Sequence, residues 1–211
     1  MILDLHTHSI VSDDGRAKVE NYCKWIRQRE LPIDGFVLTE HRQFDDESDY
    51  GPLAAEHDLV ILKASEVETE YGHVLVFGVN DDLRAAFDFA RVDNPLAEVL
   101  EASARCGAVA VPCHPGRPKV GLCAHWGVRG EVEGVRIVET LNGGSRDNED
   151  QVAQDMADQL GYLGIGGSDA HIVSHVGRCA TRFPGPVGSE QALVEALNGG
   201  DFEAVTFREG A

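Results

Sequence analysis

Short apolar runs recur along the chain with more polar, helix-compatible stretches between them, the pattern of strands wound with helices. Runs at Ile2 to His6, Gly35 to Thr39, Leu59 to Ala64, His73 to Val79, Ala108 to Cys113, Val135 to Thr140 and Leu163 to Gly167 predict strands. The intervening segments Arg16 to Arg29, Leu83 to Ala90, Pro95 to Cys106, Arg146 to Leu160 and Ser189 to Leu197 predict helices. Pro95, with Asn94 ahead of it as a cap and Gly107 just past the end, is the clearest helix signature. Gln43 to His57 and Pro115 to Gly130 are expected as long loops, the latter because it has few periodic apolar positions. Alternating strands and helices on this scale suit either a doubly wound sheet or a small, incomplete barrel. No GxGxxG or GxxxxGK[ST] follows a strand, so the nucleotide-cradling sheets lose their best support.

Composition narrows the classes. The chain has 211 residues, 43% hydrophobic and 26% charged, an ordinary globular balance expected to form one domain over residues 1–211. No run approaches the roughly 18 apolar residues that cross a bilayer, and MILDLHTHS places a charge and two histidines where a secretory leader would be apolar. A soluble, cytoplasmic protein is therefore expected, with no membrane partner. Asp and Glu outnumber Lys and Arg 36 to 18, a net charge of −18, which disfavours long nucleic acids because their affinity comes from Lys and Arg displacing counterions. A small anionic substrate is compatible with that charge if divalent cations dominate the local field. The five cysteines include no CxxC pair, which fits reduced thiols rather than a disulfide framework. Oligomeric state is not legible.

The nine histidines matter by position. His6 and His8 close the first strand in DLHTHS, His41 the second in LTEHR, and His114 the fifth in VPCHPGRP; Asp169 and His171 close the last in GGSDAH. In a parallel barrel the C-terminal strand ends share one rim, so these residues are expected to converge. Any one histidine alone is more often a cap or surface residue; the combination is harder to obtain by unrelated choices. Imidazole and carboxylate together suit Zn, Fe or Mn. In HTH, residues two apart on an extended segment face the same side and can chelate one ion. Glu66, in KASEVET just after the third strand, is placed to bridge two ions. Cys113 precedes His114 directly, so strand alternation turns it to the opposite side, a core-packing role.

The motifs DLHTHSIVSDDG, LTEH, ASEVET, GHVLVFG, VPCHPGRP and GGSDAH resemble the polymerase and histidinol phosphatase (PHP) domain superfamily over nearly the whole chain. The resemblance implies an α/β fold, a distorted seven-stranded (β/α)7 TIM-like barrel, with two or three divalent ions at its rim. It implies one ion at His6, His8, Glu66 and Asp169, a second at Glu66, His73 and His114, and a third at Asp13, His41 and His171. Within SDDG, Asp13 is preferred by motif spacing and Asp14 is the alternative, a turn residue beside Gly15.

The implied activity is metal-dependent phosphoester hydrolysis of a small phosphorylated metabolite or short nucleotide, by attack of a metal-bridging hydroxide. Arg117 and Arg178 sit where the family places phosphate-binding cations, each equally readable as a surface ion pair. His175, four residues past His171, is a candidate proton donor to the leaving group, or an exposed loop histidine. The alternatives are a nuclease trimming nucleotide ends, a non-catalytic metal-stabilised binding module, and C–N hydrolysis of the amidohydrolase type, which also opens on HxH.

Overall fold

The structure is a computed structural model that describes residues 1–208. Its first strand, β1 (Ile2–Thr7), is buried from Leu3 onward, as befits a strand covered on both faces. Helix α1 (Val19–Gln28) lays Tyr22, Cys23 and Ile26 against Phe36 and Leu38 of β2 (Gly35–His41). Helix α2 (Gly51–His57) leads to β3 (Val60–Thr69), which turns back as β4 (Gly72–Phe77). Helices α3 (Asp81–Ala86) and α4 (Leu96–Arg105) precede β5 (Val109–Pro112). Helix α5 (Leu122–Arg129), β6 (Ile137–Asn142), α6 (Glu149–Leu160) and β7 (Leu163–Gly167) follow. The chain then forms β8 (Cys179–Arg182), α7 (Glu190–Gly199) and β9 (Glu203–Thr206).

The strands form a curled, mixed sheet in the order β5-β4-β3-β2-β1-β8-β9 and a separate pair, β6-β7. Only β1, β2 and β3 run parallel within the large sheet, and β6 and β7 within the small one. A continuous parallel (β/α)7 barrel is not formed among the described residues: β4, β5, β8 and β9 all join antiparallel. The end of β7 is nonetheless drawn to the end of β1, where Asp169 N–H donates to His6 O at 2.7 Å and His8 N–H to Ala170 O at 2.9 Å. Leu3, Leu5, Val37, Leu62, Leu75, Val111, Ile137 and Ile165 fill the concave side. No helix among the described residues is long and apolar enough to cross a membrane.

Several local expectations are corrected. The segments expected as long loops carry α2 and α5, and α5 was hidden because only Leu122 on it is buried. Asn94 does not cap α4; its amide instead donates to the carbonyls of Glu68, Asp88 and Arg91, and Glu70 Oε2 accepts from Leu96 N–H at 2.8 Å. Glu66 lies inside β3 rather than just after it.

Candidate metal centre

At one rim of the curled sheet side chains from β1, β2, β3, β5 and β7 and the turns that follow them converge. The β1–β2 pairing shifts register between Asp4 and Thr7, a bulge that lets His6 follow Leu5 onto the concave side. His73 arrives from the start of β4: the antiparallel β3–β4 hairpin, pairing Glu68 with His73, brings that strand's beginning to the rim. His114 (φ 33°) and Asp169 (φ 52°) lie in the left-handed region, disfavoured for residues with a Cβ, where strain collects at functional sites. Gly167 is required by closeness: a Cβ there would stand 2.3 Å from His6 Cβ and 2.8 Å from Glu139 Oε1.

His6, His8, Glu66 and Asp169 bring four donor atoms together. Measured from His6 Nε2, the separations are 3.1 Å to His8 Nε2, 3.2 Å to Glu66 Oε2 and 3.4 Å to Asp169 Oδ1. From His8 Nε2 they are 3.1 Å to Glu66 Oε2 and 3.4 Å to Asp169 Oδ1. Two ligands held by one Zn ion at about 2.0–2.1 Å with near-tetrahedral angles stand about 3.3–3.4 Å apart, close to each of these separations. His6 Nδ1 lies 3.0 Å from Glu139 Oε1, and a hydrogen bond donated there would leave Nε2 free to bind an ion shared with those atoms. These residues fit a divalent ion.

The other oxygen of Glu66 faces a second group. Oε1 lies 2.7 Å from His73 Nδ1, 3.3 Å from His114 Nε2 and 3.4 Å from Cys113 Sγ. Glu66 thus spans two donor sets, as a bridging carboxylate does. The buried His114 Nδ1 makes no hydrogen bond among the described residues. Cys113 departs from the expected core-only role. It follows Val109 and Val111 on the concave face, and the left-handed turn at His114 swings the next ring to the same side, 3.4 Å from Sγ.

A third group lies nearer solvent. His41 Nε2 and His171 Nε2 are 3.3 Å apart; the His41 ring stacks on His8 at 4.1 Å between centroids and the His171 ring lies tilted against it at 4.3 Å. The carboxylate beside them is Asp14, at 3.5 Å from His41 and 3.2 Å from His171. Asp13, the residue favoured by motif spacing, turns aside to Arg42 at 2.7 Å, and Arg42 also donates to Glu68 at 3.0 Å.

Electrostatics point the same way. Burial opposes charge on His6, yet Glu139, Asp169 and Glu66 lift its pKa well above the ordinary imidazole value; His8 is raised to about 9 against burial by Asp169 and Glu66. Burial likewise opposes ionisation of Glu66, but His6 and His41 hold it well below the carboxylate range. Asp169, despite its burial, is depressed by His6 and His8. The cluster is a sink for positive charge, which divalent cations supply.

The remaining candidates sit around this centre. Arg117 donates to Asp169 Oδ2 at 2.8 Å and Asn142 Oδ1 at 3.0 Å, so it pins a ligand-set carboxylate. Arg178 lines a separate cleft with Trp25, Arg29 and Phe207. His175, on a short 3-10 turn, Val173–His175, has its pKa lowered by burial, Arg178 and His171. Sequence reasoning missed Glu139, which accepts from His114 N–H and Asn142 Nδ2 at 2.8 Å each as well as from His6. Its signal was an acid embedded in the apolar run RIVETL. Glu40 was also missed; buried, it accepts from the N–H groups of Ser9 and Ser12, fixing the loop that carries Asp14.

Comparison with known proteins agrees with this frame. No curated protein sequence matches the chain. The structure resembles PsfC from Pseudomonas syringae PB-5123, with a TM-score of 0.72 at 19% identity over 99% of this chain and 92% of that one. It resembles a two-domain protein containing a predicted PHP-like metal-dependent phosphoesterase from Bacteroides vulgatus, with a TM-score of 0.66 at 19% identity over 98% of this chain and 64% of that one. A lesion-specific endonuclease from Pyrococcus furiosus gives a TM-score of 0.65 at 13% identity, over 96% of this chain and 57% of that one. A family model described as PHP-associated matches residues 148–202. That match covers the C-terminal part of the chain, and the solved structures share its fold.

Proposed function

We propose that the chain is a metal-dependent hydrolase of phosphate esters, acting on a small phosphorylated metabolite or short nucleotide. The observation that carries the reading is the close set of His6, His8, Glu66 and Asp169, shared through Glu66 with His73 and His114. In the proposal these residues hold two ions, and His41, His171 and Asp14 hold a third. Divalent ions of the Mn, Zn or Fe type supply Lewis acidity there, making water a nucleophile near neutral pH and offsetting charge on phosphoryl oxygens.

The chain's own residues do the rest. Glu139 keeps the lone pair of His6 turned inward and, through His114 N–H, holds the left-handed turn in place. Arg117 is proposed as a positioning residue for Asp169 rather than a phosphate clamp. Arg178 is proposed to meet a part of the substrate that reaches the neighbouring cleft. A ring held neutral at pH 7 is a poor acid, so the leaving-group proton is not assigned to His175. The mouth formed by Asp13, Asp14, His41, Arg42, Glu68 and His73 has a volume of about 350 Å³, which suits a compact ligand.

The test is hydrolysis by purified protein of a panel of phosphorylated metabolites and short oligonucleotides, after chelation and again with Mn, Zn or Fe restored. Turnover that disappears with the metal and returns with it is expected; turnover indifferent to complete metal removal overturns the reading. A second reading, a nuclease, draws support from the fold shared with the Pyrococcus furiosus endonuclease. It is weighed against the acidic mouth, whose one arginine is already paired to Asp13 and Glu68. Cleavage of the oligonucleotides in the panel without release of phosphate from any metabolite would favour it.

A further inference from the structure

The second donor set holds one atom that the family resemblance does not assign. Cys113 Sγ stands 3.4 Å from both Glu66 Oε1 and His114 Nε2, while those two are 3.3 Å from one another. For an ion bonded to sulfur at about 2.3 Å and to nitrogen and oxygen at about 2.0 Å, such separations correspond to near-tetrahedral angles. Cys113 is fully buried, so its sulfur is shielded from solvent, and one ligand atom from each of Cys113, His6, Glu66 and His114 lies within 4.8 Å of the others. One feature beside it asks for an ion. His6 Nε2 and His8 Nε2 face each other at 3.1 Å, a pairing that only a shared proton or a cation satisfies.

We propose that Cys113 is a protein ligand of the second ion, giving that position a Glu66, His73, His114 and Cys113 donor set. The inference rests on the metal-centre reading above. On binding, the Sγ–H bond breaks, the proton passes to solvent and the sulfur lone pair forms the bond to the ion; no oxidant or reductant is involved. The first position offers only nitrogen and oxygen, whereas a thiolate makes the second softer, favouring Zn or Fe over Mn or Mg. The two positions therefore differ in metal preference, and mixed occupancy follows from the donor atoms.

The test is spectroscopic. Metal-free full-length protein is titrated with Co²⁺ while the near-ultraviolet is monitored for a sulfur-to-cobalt charge-transfer band, and bound cobalt is counted by elemental analysis. The band is expected in the wild type, absent in Cys113→Ser and Cys113→Ala, and retained in Cys123→Ser, whose thiol instead lies against Met156. Circular dichroism of each variant establishes that it is folded. Cobalt bound by the wild type without the band overturns the Cys113 assignment alone, and so does a band that persists in folded Cys113→Ser. Failure of the wild type to bind cobalt at all overturns the assignment together with the metal centre beneath it. As a wild-type measurement, the band is informative even if both Cys113 variants fail to fold.

Discussion

Glu66 is the residue on which the centre turns. Its two oxygens approach His6, His8, His41, His73 and His114 within 3.3 Å, although Glu68, two positions on, extends from the same side of the strand. The difference lies in what meets them: five imidazoles around Glu66, the Arg42 guanidinium at Glu68. Glu66→Gln removes the shared anion from both inner donor sets, so loss of bound metal and a fall in kcat/KM of at least about 100-fold are expected, beyond the 10- to 100-fold typical of supporting groups. Glu68→Gln should stay within a few-fold. Metal content by elemental analysis, read beside the kinetics, checks the contrast, and equal behaviour of the two variants would refute the bridging role. The adjacent aspartates allow a finer test. Asp14 faces His41 and His171 while Asp13 faces Arg42, so Asp14→Asn is expected to weaken the outermost equivalent of metal and Asp13→Asn to leave it in place. Calorimetric titration of metal into the two variants distinguishes them, and the reverse order would restore Asp13.

The elements show why some of this was legible and some was not. Strands β1, β2, β3 and β7 announce themselves as apolar runs ending in HTH, TEH, SEVET and GGSDAH, because a buried strand tolerates polar groups only where it emerges at a rim. The residue types of the centre were therefore visible in the sequence. The geometry that unites them was not. It depends on a register shift in β1, the antiparallel sense of β4 and left-handed turns at His114 and Asp169, and none of these has a periodicity signature. Cys113 illustrates the cost: simple alternation separates it from His114, and the turn cancels the alternation. Strands β8 and β9, four residues each, are too short for period-two alternation to register. A prediction at this scale concerns the close packing of β7 on β1. In Gly167→Ala the added methyl meets His6 Cβ and Glu139 Oε1, so a loss of about 1–3 kcal/mol is expected, as for other overpacked cores. The displacement of His6 should lower metal affinity as well. Thermal unfolding with and without metal measures both, and an unchanged transition would show that the strands part at no cost.

At the scale of the whole molecule, charge decides what reaches the centre. The chain carries −18, and three divalent ions would offset about six units, leaving a body of net negative charge. The mouth itself offers no continuous basic track: Arg42 is committed to Asp13 and Glu68, and the neighbouring segment Gln43 to Asp49 reads QFDDESD. Arg29, Arg178 and Arg208 do line one cleft with Trp25 and Phe207, where Arg208 is paired to Asp150. On the proposed function, a single phosphate held among the ions, with the remainder of a small substrate turned toward that cleft, would avoid the acidic surface, which a long strand would have to cross. The expected outcome is a higher kcat/KM for a mononucleotide or sugar phosphate than for a long single strand at matched low salt, with Arg178→Ala raising KM for the small substrate more than it lowers kcat. Added salt should then narrow the gap by screening the repulsion felt by the long strand. A clear preference for the long strand at low salt would mean that the acidic face is turned away from the mouth and that nucleic acid is the substrate after all.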